Sequence, residues 1–175
     1  RTKSSDGSSD MSETLHFLDK HMHTKRNRLS AYDSSEGTLY LAFIAVLMAH
    51  KEAPQIFALD NVDNALNPRL TRVLLEEIIS LTCSNRLPEQ TVGPNQVFFT
   101  SHNPTSLDAF DLFDDEQRVF IVKRNEKGHT KVERLKPQDG WSPEDWERAK
   151  GGKNLSTLWI ENEISGALGE NLDSI

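Results

Sequence analysis

The chain has 175 residues, with 20 Lys and Arg against 27 Asp and Glu and a formal net charge of −7. That length supports one domain with a substantial core, or one lobe of something larger, and the acidic balance argues against a surface that coats nucleic acid generally while leaving room for a local basic site. The longest largely apolar run, 39–49, is about half of what a transmembrane helix needs, and Cys83 is the only cysteine, which excludes an internal disulfide and fits a reducing cytoplasm.

Residues 1–12 are rich in Ser, Asp and Gly and read as a disordered tail or linker, with the domain expected over 13–175. The first residues contain no initiator Met and no apolar signal core, so further residues are expected upstream. A short helix is expected over 13–22, with Leu15 and Leu18 on one side. The segment 20–28 is locally basic, and Lys20, Lys25, Arg26 and Arg28 form either a solvated face or a set of phosphate contacts.

Tyr32-Asp33-Ser34-Ser35-Glu36-Gly37-Thr38 runs directly into the apolar 39–49. The serines suit the cap of a helix that should be buried, because its apolar residues cover most of its circumference. Such a helix start has free N–H groups, so the segment is either a plain capped core helix or an anion site. Next, Ile56-Phe57-Ala58-Leu59 is too short for a helix and leads into Asp60-Asn61-Val62-Asp63-Asn64, the pattern of a buried strand ending in a polar turn. At the carboxyl end of such a strand Asp60 either caps a loop or faces a ligand or a hard cation such as Mg²⁺.

Asn67 and Pro68 open a helix with Leu70, Val73, Leu74, Ile78 and Leu81 as its expected inner face and an end near Thr82. A polar loop at 84–95 leads to a second strand at 96–102, ending in Ser101-His102. Strand, helix and strand form a crossover unit, which brings Asp60 and His102 to one edge of a sheet. A helix is expected over 104–113, then a hairpin of 119–124 and 129–135 around Asn125-Glu126-Lys127-Gly128. Ser142-Pro143-Glu144 starts a helix that Gly151-Gly152 ends; Leu155, Leu158, Trp159 and Ile164 mark a last one before breakers at 166–169.

In order along the chain these features resemble the carboxyl-terminal half of an ABC-type ATPase, of the kind found in structural-maintenance, DNA-repair and bacterial-defence ATPases. Ser35-Glu36-Gly37-Thr38 looks like the signature loop, 56–60 like the Walker B strand, Asn64-Ala65-Leu66-Asn67 like the D-loop and Ser101-His102 like the switch-histidine loop. The fold this implies is α/β, a P-loop NTPase-like three-layer sheet with a β-hairpin and terminal helices. The resemblance implies ATP and Mg²⁺ as cofactors. Asp60 would hold Mg²⁺ through water, His102 would reach the γ-phosphate, and Ser35 and Gly37 would bind a nucleotide held by the other protomer of an ATP-linked homodimer, with Asn64 crossing to that subunit.

Two departures qualify the resemblance. No Gly-x-x-x-x-Gly-Lys-Ser/Thr loop occurs in the sequence, so the amino-terminal nucleotide-binding lobe is expected upstream or on another chain. The family's catalytic Glu is replaced by Asn61, whose amide is no general base, with Asp63 as a longer-range substitute, so hydrolysis is expected to be slow. DNA and a nuclease are the partners this family implies. Two other functions remain open at this level: a metal-dependent nuclease with Asp60, Asp63 and His102 as direct ligands, and a non-hydrolysing ATP-dependent interaction domain.

Overall fold

The computed structural model describes residues 14–84, 93–161 and 163–164. The tail expected at 1–12, most of the loop at 84–95 and the breakers at 166–169 lie outside the described residues. Two compact units divide the chain, Arg1–Phe43 and Ile44–Ile175.

In the first unit, strand β1 (His16–Leu18) pairs antiparallel with β2 (Arg28–Ser30), Phe17 opposite Leu29. The helix expected over 13–22 is therefore not formed by its described residues. A ten-residue helix without packing is unstable in water, whereas Asp19 extends the ladder by donating its N–H to Asn27 O at 2.8 Å and turns the chain by accepting from His21 N–H at 2.8 Å. Lys20, Lys25 and Arg26 lie in the exposed turn and Arg28 in β2. Past β2, the Asp33 carboxylate accepts from the Ser30 hydroxyl at 2.6 Å and its N–H at 3.2 Å, and these bonds hold its pKa below the usual carboxylate value.

Helix α1 spans Glu36–Ala49 and is apolar on nearly every side. Only Ile44 and Met48 are buried; Phe43 is 57% and Val46 62% exposed, so the expectation of a fully buried helix holds for one side alone.

The second unit contains a parallel pair, β3 (Ile56–Leu59) and β4 (Gln96–Phe99), joined through α2 (Pro68–Ser84). Phe57, Leu59, Val97 and Phe99 point to the half-buried face; on the other face Ile56 is 59% and Phe98 55% exposed. The expected inner face of α2 is rotated in the structure. Thr71, Leu75, Ile78 and Thr82 are buried, whereas Leu70, Val73 and Leu81 are exposed and Leu74 is intermediate. The threonines tolerate burial because each hydroxyl donates to the carbonyl one turn back, Thr71 to Asn67 at 3.2 Å and Thr82 to Ile78 at 2.7 Å.

Residues Pro104–Ala109 form a 3₁₀ helix rather than the α-helix expected over 104–113. Asn103 caps it by accepting from the Thr105 N–H, and the chain leaves the helical conformation at Phe110. Strands β5 (Val119–Arg124) and β6 (Thr130–Leu135) form the expected antiparallel hairpin. Helix α3 (Pro143–Lys150) starts at a capping box of Ser142 and Asp145 and stops at Gly151 in the left-handed region, as its sequence predicts. Helix α4 is Leu155–Ile160. Leu112, Ile121, Leu155, Leu158 and Ile164 form the buried cluster, with Leu107, Phe110 and Trp146 packed against it.

The fold is thus mixed α/β, with three separate two-stranded sheets among the described residues rather than one three-layer sheet. A parallel sheet is ordinarily covered on both faces, and here the Ile56 and Phe98 face is bare. Among the described residues no helix is long and apolar enough to cross a membrane.

The rotated face of α2 makes a direct test. Leu75→Ala should cost about 2–5 kcal/mol in denaturant unfolding and Val73→Ala about 0.5 kcal/mol or less, whereas the face expected from apolar spacing would reverse that order.

Candidate functional site

The residues singled out at the ends of the two parallel strands meet because of the strand register. Leu59 pairs with Phe99, so Asp60 and Thr100, each the next residue, leave the sheet side by side. The Thr100 hydroxyl donates to Asp60 Oδ1 and accepts from the Asn61 N–H at 2.9 Å. The Thr100 main chain completes the clamp: its N–H donates to Leu59 O at 3.0 Å and its carbonyl accepts from Val62 N–H at 2.9 Å. One residue thereby fixes both the carboxylate and the turn behind it.

Asp60 is exposed, with Oδ1 engaged by Thr100 and no hydrogen bond to Oδ2 among the described residues. Asn61 is exposed and sits at φ 51°, a left-handed conformation that Asn adopts more readily than most residues, so it serves the turn whatever else it does. Its carbonyl accepts from Asn64 N–H at 2.8 Å, and Ala65 at φ 61° continues the turn into α2. Asn67 caps that helix by accepting from Leu70 N–H at 3.0 Å. Asp63 is half-buried, and its Oδ1 is buried without a hydrogen-bond partner among the described residues, a costly arrangement for a carboxylate. Asn64 is exposed.

On the neighbouring loop His102 is exposed, with no hydrogen bond among the described residues, while its flanks are fastened. Ser101 Oγ shares a hydrogen bond with Ser106 Oγ at 2.7 Å and accepts from Asn103 N–H at 3.1 Å. Asp60 and His102 thus follow adjacent ends of one parallel pair. They do not form a metal cage: no group of three His, Cys, Asp or Glu that could hold a metal ion occurs among the described residues, so the direct ligand set of Asp60, Asp63 and His102 is not assembled. A cavity of about 370 Å³ elsewhere in this unit is lined by Arg72, Asp108, Phe110, Trp146 and Lys150 and includes neither Asp60 nor His102.

In the first unit, Ser35 precedes α1 and accepts from Thr38 N–H at 3.2 Å, with its hydroxyl 2.8 Å from Thr38 Oγ1. It is an N-cap whose side chain is already engaged, and Gly37 lies half-buried in the first turn.

The residue that sequence reasoning missed is Thr100. Its signal was present in the pairing of the two strands, which sets it opposite Asp60, but not in either strand alone.

Residues 3–108 match a family model described as "AAA domain, putative AbiEii toxin, Type IV TA system", which covers more than half of the chain. No curated protein matches the sequence. A solved structure from work on the structural biochemistry of ATP-driven dimerization and DNA stimulated activation of SMC ATPases has a TM-score of 0.41 at 15% identity, over 72% of this chain and 65% of that one. The chain therefore spans less than two thirds of the length of that structure.

The clamp is testable by hydrogen exchange. Thr100→Val should speed exchange of the Asn61 amide, leave that of Val62 slow because its acceptor is the residue-100 carbonyl, and cost about 0.5–1.5 kcal/mol. Thr100→Ser should restore the wild-type pattern.

Proposed function

The chain belongs to the AAA-domain family matched over residues 3–108, and from that premise we propose that it is part of an ATP-switched, ABC-type ATPase that dimerises around ATP and hydrolyses it slowly. The observation that carries this reading is the Thr100 clamp, which holds an exposed carboxylate at the end of one parallel strand beside a loop presenting an exposed imidazole. Parallel strands of α/β proteins carry their ligands at this end.

Mg²⁺ fits the donor set through Asp60. Asp60 is exposed and its Oδ2, a hard oxygen, accepts no hydrogen bond among the described residues; a single carboxylate with waters is the usual protein share of a Mg²⁺ site beside phosphates. When bound, the ion would neutralise charge on the phosphates. The chain's own residues do the rest: Thr100 orients Asp60, and His102 offers a donor to a terminal phosphate. Asn61, at the position of the usual Glu, cannot take a proton from water. The triphosphate itself is not cradled by this sequence, which has no Gly-x-x-x-x-Gly-Lys-Ser/Thr loop, so the N–H groups and Lys for the β and γ phosphates belong to a nucleotide-binding lobe outside these residues.

Ser35 and Gly37 face the nucleotide of the opposing protomer, and Asn64 crosses to that subunit. The output of this reading is control of DNA processing or of a nuclease partner in a defence or repair system; the toxin–antitoxin description of the family supports the defence setting alone. The metal-dependent nuclease reading is not retained, because its three ligands do not converge.

Full-length protein should form ATP-dependent dimers, measured by light scattering, and turn over slowly. Asp60→Ala should abolish the Mg²⁺ dependence of both. Asn61→Glu should raise kcat by roughly 10²-fold or more, the usual contribution of a positioned base. A rapid wild-type ATPase that survives Asp63→Ala and is lost in Asn61→Ala would sink the proposal, and dimerisation with no turnover in any variant would leave only the non-hydrolysing interaction domain.

A further inference from the structure

In the second unit the acidic balance of the chain is locally reversed on the β5–β6 hairpin, which follows directly on the acidic segment 108–116. Residues 119–135 contain Lys123, Arg124, Lys127, Lys131 and Arg134 against Glu126 and Glu133, a net +3 that leaves the remainder of the −7 chain at −10. Two of the five cations are neutralised in place: Lys123 pairs with Glu133 at 3.0 Å and Arg134 with Asp115 at 2.8 Å. Arg124, Lys127 and Lys131 are exposed and make no ion pair among the described residues.

Those three gather at one end. Arg124 is opposite Thr130 in the last pair of the ladder, Lys131 is opposite Lys123 in the pair before it, and Lys127 is in the turn. The turn is held firmly. Gly128 takes φ 77°, its N–H donates to Asn125 O at 2.8 Å, and Asn125 exchanges bonds with His129 through N–H to O and Oδ1 to N–H, both 2.9 Å. Lys123 and Lys131 lie directly opposite each other, and Glu133 answers the charge of Lys123 alone, which leaves that of Lys131 without a partner among the described residues.

We propose that the tip of the β5–β6 hairpin is a contact for duplex DNA, with Arg124, Lys127 and Lys131 on the phosphate backbone. The occupant follows from shape as well as charge. A two-stranded ribbon fits a B-form major groove of about 12 Å, whereas the major groove of an RNA duplex is too narrow to admit it. Single strands are held by stacking on successive aromatic side chains, and the hairpin has no such series: Phe120 lies near its base opposite Arg134, and the imidazole of His129 lies at the other end beside the turn. The contact is independent of ATP binding, so it stands or falls separately from the ATPase reading. It also differs from the cationic turn of the first unit, with Lys20, Lys25, Arg26 and Arg28.

The test is fluorescence anisotropy of the full chain without nucleotide, on a short DNA duplex, its single strand, an RNA duplex and a polyglutamate peptide. Three phosphate contacts predict a log–log salt slope of about −2.7 from these residues, equivalent to about 40-fold weaker duplex binding between about 50 and 200 mM salt. R124A/K127A/K131A should flatten the slope by about 2.7 with unchanged circular dichroism. The charge-preserving Arg124→Lys, Lys127→Arg, Lys131→Arg variant should bind as wild type, and alanines at Lys20, Lys25, Arg26 and Arg28 should leave the hairpin component intact. An unchanged slope in the triple alanine variant, no duplex binding by wild type, or tighter binding of single strand, RNA duplex or polyglutamate would each overturn the assignment.

Discussion

The Asp60 edge depends on one hydroxyl group. Thr100 Oγ1 is donor to a carboxylate and acceptor from the next residue's N–H, so it uses both of its hydrogen-bonding capacities on the same turn. Without it Asp60 would be an exposed side chain free to rotate, and the left-handed backbone of Asn61 would be held only by its bonds at Val62 and Asn64. Because Thr100 also begins the loop that holds His102, the two candidate ligand contacts are parts of one hydrogen-bonded unit. A shift in either loop must move or break bonds shared with the other.

Asn61 illustrates how backbone and chemistry can favour the same residue. A Glu in the left-handed region would be strained by roughly 1–2 kcal/mol, a cost Asn largely avoids. The left-handed turn and the slow turnover proposed from an amide that is no general base are thus served by the same residue. The orphaned oxygen of Asp63, two residues on, is the opposite case: a local choice that the described residues do not satisfy.

Burial is distributed unevenly. One side of the parallel pair and the inner side of α2 are packed, and the hairpin, α3 and α4 share a second cluster. The bare face with Ile56 and Phe98, and the exposed Phe43 and Val46 on α1, remain apolar surface in water. Charge is divided too, with exposed free cations at the hairpin tip of an otherwise acidic chain.

What the sequence determined by itself was local. The strand before Asp60, the strand before Thr100, the Asn125 to Gly128 turn and the Ser142 to Gly151 helix all follow from short apolar runs, caps and turn residues whose causes lie within a few positions. The residues of the Asp60 turn were legible for the same reason, since a polar cluster after an apolar strand is visible without a partner. Tertiary structure decided the rest. Apolar spacing selected Leu70 and Val73, but contacts made elsewhere turned Thr71 and Leu75 inward, and back-bonding hid the two hydroxyls. Residues 14–18 have weak local preferences, and pairing with 28–30 settled them as strand. Thr100 acquires its role from a carboxylate 40 residues away, and only the parallel register puts the two side by side.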